Sequence, residues 1–243
     1  MSTDHYNLHG VSLLDYLNGE TETTIAVYGE LVERRDVPVR LFFREPADFP
    51  ALEQRALELC RGRVLDIGAG AGCHTLALQE RGLTVCAIDF LPECVEVMKK
   101  RGVREAHCAD IHTFEAEAFD TLFSMMNGMA VVRDLSGLQP FLKEVRRLLK
   151  PDGQFLVDST DMRRVAAPGI QDYLEKKRGR GEYFGEMHLQ LEYKGRRGAP
   201  FTQLHVDAET LSEHAAQSGW DCQIIEQDES GRYLARLTLA QHG

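Results

Sequence analysis

Residues 63–82 constrain this chain more than any other stretch. Val64, Leu65 and Ile67 belong to a short apolar run, as expected of a strand buried on both faces of a parallel sheet. Gly68, Gly70 and Gly72 follow at alternate positions. Lacking a Cβ, they tolerate left-handed dihedrals and let a ligand lie against bare backbone. From Cys73 to Arg81 the sequence reads as a helix, and Gly82 supplies its C-terminal stop. Strand, glycine loop and helix, in that order, build a nucleotide site at the carboxyl edge of an open α/β sheet.

The spacing of the glycines decides which nucleotide. The dinucleotide fingerprint G-x-G-x-x-G needs a glycine at position 73, where this chain has Cys73. Asp66 stands two residues ahead of Gly68, giving D-x-G-x-G-x-G. That pattern resembles motif I of the class I S-adenosylmethionine-dependent methyltransferases. The resemblance implies a doubly wound, mostly parallel seven-stranded sheet, with strand seven antiparallel between strands five and six. It implies that the backbone of Gly68, Ala69, Gly70 and Gly72 lies against the methionine part of the cofactor, with Asp66 orienting the loop or meeting the amino group. Asp89 ends the second strand where the family places the acid that holds both ribose hydroxyls, and Phe90 follows it. A dehydrogenase also wants an acid near that place, so Asp89 alone does not discriminate.

Later landmarks fall in the family's order. Asp110 and Ile111 follow a short third strand, where motif III reads the adenine amino group. Phe119-Asp120 opens the fourth strand, and Met126-Asn127 leaves its carboxyl end, where motif IV sits beside the transferable methyl group. Asn127 is followed by Gly128 and Met129, so the proline-containing motif of the nucleic-acid and glutamine amino methyltransferases is missing. Asn-Gly is also an ordinary turn signal, and the two roles are compatible. Ser136 and Gln139 read as a capping box for a helix lined by Leu138, Phe141, Leu142, Val145, Leu148 and Leu149. The turn at 150–153 then leads into strand five, which ends in Asp158, Ser159 and Asp161. The match covers roughly residues 60–160.

Outside that span the reading is of an N-terminal cap over 1–60 and a methyltransferase domain over 61–243, carrying an inserted lid-like segment at 163–206. In the cap, residues 12–17 read as a short helix. Tyr28, Leu31 and Val32 have helical spacing, whereas 37–43 looks extended, so a helix followed by a strand and a β-hairpin both fit. In the insert, 163–183 reads as irregular, and 188–206 as a β-hairpin with Leu189, Leu191 and Tyr193 on one apolar face. Asp207 reads as the cap of the helix that follows.

Charge bounds the partners. With 38 acidic against 28 basic residues the net charge is −10, which argues against nucleic acid as the main partner, since phosphate neutralisation dominates such binding. Between Arg163 and Arg197, nine basic residues face five acidic ones; a solvated surface or contact with an anionic acceptor or RNA would account for this. No run of ~18 apolar residues suggests a membrane helix, and residues 1–6 lack the features of a signal peptide. Six cysteines without a C-x-x-C pair read as reduced cytoplasmic thiols, and no metal is expected.

The expectation is a cytoplasmic methyltransferase, monomer or homodimer, using S-adenosyl-L-methionine on a small-molecule acceptor. A cofactor-binding sensor or partner subunit without transfer, or an NAD-dependent oxidoreductase, are the rivals. If the acceptor is a hydroxyl or an ammonium, a base is needed. His74, Asp158, Asp161 and His205 are candidates, and none is assigned.

Overall fold

The computed structural model describes residues 7–31 and 33–240. Residues 1–6 and Val32, on which two of the expectations above bear, lie outside them. The chain begins with α1 (Asn7–Leu17), β1 (Thr24–Gly29), β2 (Arg35–Pro38) and α2 (Ala51–Leu59). The next elements alternate: β3 (Arg63–Ile67), α3 (Cys73–Glu80), β4 (Thr84–Asp89), α4 (Pro92–Arg101), β5 (Ala106–Cys108), β6 (Phe119–Ser124), α5 (Leu138–Val145) and β7 (Leu149–Thr160). An inserted segment carries α6 (Ile170–Arg180), β8 (Glu186–Tyr193), β9 (Arg196–Arg197) and β10 (Phe201–Leu204). The chain then closes with α7 (Ala208–Gln217), β11 (Trp220–Gln227) and β12 (Arg232–Leu239).

Seven strands form the main sheet in the order β11-β12-β7-β6-β3-β4-β5. β12 runs antiparallel to both neighbours, and every other adjacent pair is parallel. This is the doubly wound arrangement the resemblance implies. Helices cover both faces, so β3, β4 and β6 are buried almost throughout. Side chains alternate across the sheet. Leu65, Cys86, Leu122 and Phe155 meet Phe141, Leu142 and Leu211 on one side. Val64, Val85, Phe123 and Leu156 meet Leu52, Ala56, Ala77 and Leu78 on the other.

A second sheet, in the order β10-β8-β1-β2 with β9 on β8, joins the N-terminal segment to the segment inserted between β7 and α7. β8 pairs antiparallel with β1 on one side and β10 on the other. Leu191 and Tyr193 pack with Leu8 of α1 and Ile25 of β1. Leu189 instead belongs to a separate cluster with Met162, Tyr173 and Met187.

Several expectations are corrected. Of the two readings of the N-terminal region, the structure shows an antiparallel β1–β2 pair, and extended backbone ends at Pro38, giving way to a 3-10 turn over Val39–Phe42. The first helix begins at Asn7 rather than Ser12. Residues 163–183 are not irregular throughout, because they contain α6. Asp134, not Ser136, caps the turn before α5: its carboxylate accepts from Gly137 N–H and from the Ser136 hydroxyl. Asp207 does cap α7, accepting from Thr210 N–H.

The β8–β10 ladder runs one pair past its strand ends, to Gly185 and His205. His205 N–H donates to Gly185 O at 2.7 Å, and a Cβ on Gly185 would lie 1.8 Å from His205 O. No rotamer relieves a clash with backbone. Gly185→Ala should therefore cost at least about 2 kcal/mol of stability, read as a lowered urea midpoint with an unchanged slope.

Candidate active site

The site is built where β3 stops. Gly68, Gly70 and Gly72 have φ of 70°, 56° and 78°, all in the left-handed region. Two successive amides, of Gly68 and Ala69, donate to the single carbonyl of Ile88 on β4, at 2.9 and 3.1 Å. The glycines do different work. A Cβ at Gly68 or Gly70 would meet nothing within 4 Å, whereas one at Gly72 would press on Met98 and Val103 at 3.0 Å. The first two keep the loop's face open, and the third lets α3 seat against α4.

Two buried carboxylates hold this loop from below. Asp66, raised by its burial, accepts from the Thr75 hydroxyl at 2.5 Å and so ties β3 to the first turn of α3. Asp89 accepts from Gly70 N–H at 3.0 Å through one oxygen and from Leu91 N–H at 2.9 Å through the other. Burial pushes the Asp89 carboxyl up to about 6, despite these two amides. A carboxylate offers about four acceptor positions, so both oxygens retain capacity. Phe90, beside it, is 40% exposed, unusual for a large apolar side chain here. Asp110 folds back on His112 N–H at 3.0 Å, and Ile111 is buried in the core below.

At the carboxyl end of β6, Met126 and Asn127 both have positive φ, 66° and 65°. Two consecutive non-glycine residues in the left-handed region store strain, and such strain clusters at functional sites. Hydrogen bonds hold the turn. Ser124 Oγ donates to Ile67 O at 2.9 Å, linking β6 to the end of β3. Gly128 N–H donates to Asp158 at 2.8 Å. Asn127 Oδ1 accepts from Ser159 Oγ at 3.1 Å, and its Nδ2 donates to Leu204 O at 3.2 Å.

The Leu204 contact settles the amide's orientation, because a carbonyl can only accept. Asn127 Nδ2 also lies 3.5 Å from His205 Nε2, so that nitrogen presents its lone pair and the ring carries its proton on Nδ1. Nδ1 is buried without a protein partner. Burial pushes His205 down to about 4, which keeps the ring neutral near pH 7.

The other base candidates are engaged. Asp161 caps a 3-10 turn through Arg163 N–H and pairs with the Arg163 guanidinium at 2.9 Å. Asp158 pairs with Arg232 at 3.2 Å, and Arg232 also reaches Glu53 at 3.4 Å. Glu53 binds Arg44 and His74, each at 2.8 Å. Burial would raise the Glu53 carboxyl, but His74 and Arg44 hold it below the usual range. Burial likewise opposes charge on His74, yet Cys73, Glu53 and Asp66 carry it up to about 10. His74 is thus a buried cation rather than a free base. Glu53, Arg44 and Arg232 were missed in the sequence: Arg232 stands 179 residues from Glu53, and Arg44 nine residues from it in a different element, so no periodicity pairs them.

The excess of positive charge in the insert is answered by acids from elsewhere: Lys194 by Asp15 and Glu20, Lys177 and Arg180 by Glu30, Arg163 by Asp207. No helix among the described residues is long and apolar enough to cross a membrane.

A family model described as a methyltransferase domain matches residues 65–157. The crystal structure of a SAM-dependent methyltransferase from Bacteroides fragilis in complex with S-adenosyl-L-homocysteine is similar over 98% of this chain and 97% of that one. The TM-score is 0.85 and the sequence identity 34%. The chain belongs to the class I, Rossmann-like S-adenosylmethionine-dependent methyltransferases. Among curated relatives, a ubiquinone biosynthesis O-methyltransferase of Rickettsia conorii is 26% identical over 171 residues, 68% of this chain and 57% of that protein. A demethylmenaquinone methyltransferase of Tropheryma whipplei is 31% identical over 117 residues, 46% of this chain and 47% of that protein. The chain thus spans about half the length of the curated relatives it matches.

The His74–Glu53 pair gives a pH dependence of fixed sign. The folded-state value of His74, about 10, lies above its ordinary 6.5, so its contribution is fully present below pH 6.5 and is lost as pH rises toward 10. The urea midpoint of the wild type should fall across that window. His74→Gln, which keeps a hydrogen-bond donor but cannot titrate there, should flatten the decline.

Proposed function

We propose that this chain transfers the methyl group of S-adenosylmethionine to a small-molecule acceptor. The observation that carries the reading is the glycine loop, open at Gly68 and Gly70 and braced from below by Asp89. A side chain at either glycine would occupy the space in which a ligand could meet backbone. Asp89 keeps acceptor capacity for a pair of vicinal hydroxyls. These features fit an adenosine-bearing ligand. The Bacteroides fragilis relative, crystallised with S-adenosyl-L-homocysteine, supports the choice of ligand.

In this reading Gly68, Ala69, Gly70 and Gly72 flank the amino-acid part of the cofactor, with Asp66 fixing the loop's exit into α3. Asp89 takes the ribose hydroxyls, Phe90 offers an aromatic face, and Asp110 with Ile111 borders the base. Met126 and Asn127 face the reacting end. When bound, the cofactor supplies a methyl group activated by a sulfonium and open to in-line displacement. The chain's own task is positioning, which can supply much of the rate. His205, with a buried Nδ1–H that has no protein partner, is the group we place on the acceptor side. It would orient an oxygen or nitrogen lone pair rather than remove a proton.

The curated relatives named for ubiquinone and demethylmenaquinone support a small-molecule acceptor. Six free thiols suit a reducing, cytoplasmic setting. Incubation with methyl-labelled cofactor and fractionated cell extract should put label into small metabolites. Cofactor binding without label in any fraction would favour a sensor or partner subunit, and label in RNA or protein would overturn the acceptor class.

Asp89 offers a sharper test by calorimetry. Asp89→Ala should lose charge-assisted hydrogen bonds worth ~1.5–3 kcal/mol each, and Asp89→Asn should keep part of that through its remaining carbonyl. Because burial raises the carboxyl to about 6, the wild-type dissociation constant should rise as pH falls through that value. A flat pH profile together with an alanine variant of unchanged affinity would remove Asp89 from the ribose.

A further inference from the structure

β5 is a three-residue strand at the edge of the main sheet, and its ladder with β4 sets Ala87 beside Ala106 and Ile88 beside His107. Side chains alternate along each strand. Cys86 on β4 therefore shares a face with Glu105 and His107, which stand two residues apart on the edge. The Sγ of Cys86, a carboxylate oxygen of Glu105 and a ring nitrogen of His107 all lie within 4.8 Å of one another. A thiolate, an imidazole and a carboxylate are the donor types that bind zinc, at ~2.3 Å for sulfur and ~2.0–2.2 Å for nitrogen and oxygen. Tetrahedral angles with those bond lengths separate ligand atoms by roughly 3.3–3.6 Å. His107 Nε2 and Glu105 Oε1 already stand 3.4 Å apart, at coordination spacing.

We infer that Cys86, Glu105 and His107 form a binding site for a zinc-like divalent cation, with the fourth position open to water. Cys86 is buried while His107 is exposed and Glu105 lies at the edge, so an ion would enter from solvent and seal the thiol beneath it. Binding takes one proton from the thiol, which passes to solvent, and leaves a neutral imidazole nitrogen as donor. Two anionic ligands and a dication then balance.

The nearest competing charge is Arg63, whose guanidinium lies 3.7 Å from Glu105. It has other partners to retain, namely the Glu117 carbonyl at 3.0 Å and the Phe119 ring at 4.4 Å. A second cluster of comparable make-up, Glu30, Glu182 and His188, already holds the buried Lys177 ammonium at 2.9 and 3.0 Å. An ion between β4 and β5 would staple the shortest strand of the sheet to the strand that ends in Asp89. Ala109 N–H, just past β5, donates to Asp89 O at 3.0 Å, so the staple stiffens the edge of the adenosine side.

The test uses the full-length chain stripped of metal and titrated with cobalt(II), then with zinc(II). One equivalent of cobalt should give tetrahedral d–d bands with a thiolate charge-transfer band, zinc should displace it, and either ion should raise the melting temperature. Cys86→Ser should remove the charge-transfer band. His107→Ala, an exposed position that spares the fold, should weaken binding about tenfold or more. Cys108→Ser, which alters the exposed neighbouring thiol, should leave the spectrum intact. Absence of a thiolate band in the wild type overturns the site, as does a band and zinc stabilisation unchanged in His107→Ala or lost in Cys108→Ser.

Discussion

The carboxyl edge of this sheet depends on how one carbonyl is shared. Ile88 O, at the end of β4, accepts from two consecutive amides of the glycine loop. That bifurcation lets β3 stop at Ile67 without leaving buried backbone donors unpaired, a cost of about 1–3 kcal/mol for each orphaned group. The left-handed glycines supply the turn, and the Asp89 carboxylate then takes the next free amide, at Gly70. The loop is thereby fixed from the side opposite its open face. Its open face needs no side chain to hold it.

A second set of constraints is ionic. Arg44, Glu53, His74, Arg232 and Asp158 form one chain of contacts running from the N-terminal segment through α2 and α3 to β12 and β7. Two carboxylates meet three cations there, in a place where charge is costly to desolvate. Such a network adds little net stability over apolar packing, but losing one member strands the others, typically at ~3–5 kcal/mol. Its effect is on arrangement. Asp158 ends the chain by accepting from Gly128 N–H, so the strained Met126–Asn127 turn inherits its position from residues far from it in sequence.

What the sequence made legible follows from this division. The strand, glycine loop and helix at 63–82 are local, and their spacing suffices. The Asp207 cap was legible for the same reason, whereas the parallel arrangement of the sheet came only through the family resemblance. The helix α6 was not, because its inward face of Tyr173, Leu174 and Lys177 places a lysine where periodicity wants an apolar residue. Lys177 is buried only because Glu30 and Glu182 neutralise it. Asp134 outcompetes Ser136 as a cap because the intervening turn is 3-10 rather than α, which moves the helix start. His74 reads as a possible base until Glu53 is placed beside it. For α6 and His74 a deciding partner, Glu30 or Glu53, lies far off in sequence, whereas the Asp134 cap is local and turns on the geometry of the 3-10 turn.

The cap shows the same logic at larger scale. Its sheet joins β1, near the start of the chain, to β8, more than half the chain later, so neither segment is a lid that could be removed without exposing the other's edge. On one side α1 packs against α4, with Asn7 donating to Glu93 at 2.7 Å and Gly10 leaving room for the Glu93 stem. Leu13 and Val39 share a cluster there with Leu91 and Ala71, which adjoin Asp89 and the glycine loop. On the other side the end of β10 brings Leu204 O and His205 against Asn127. The cap therefore touches both the loop that would hold the cofactor, through α1 and the 3-10 turn after β2, and the turn that would face the acceptor, through the end of β10.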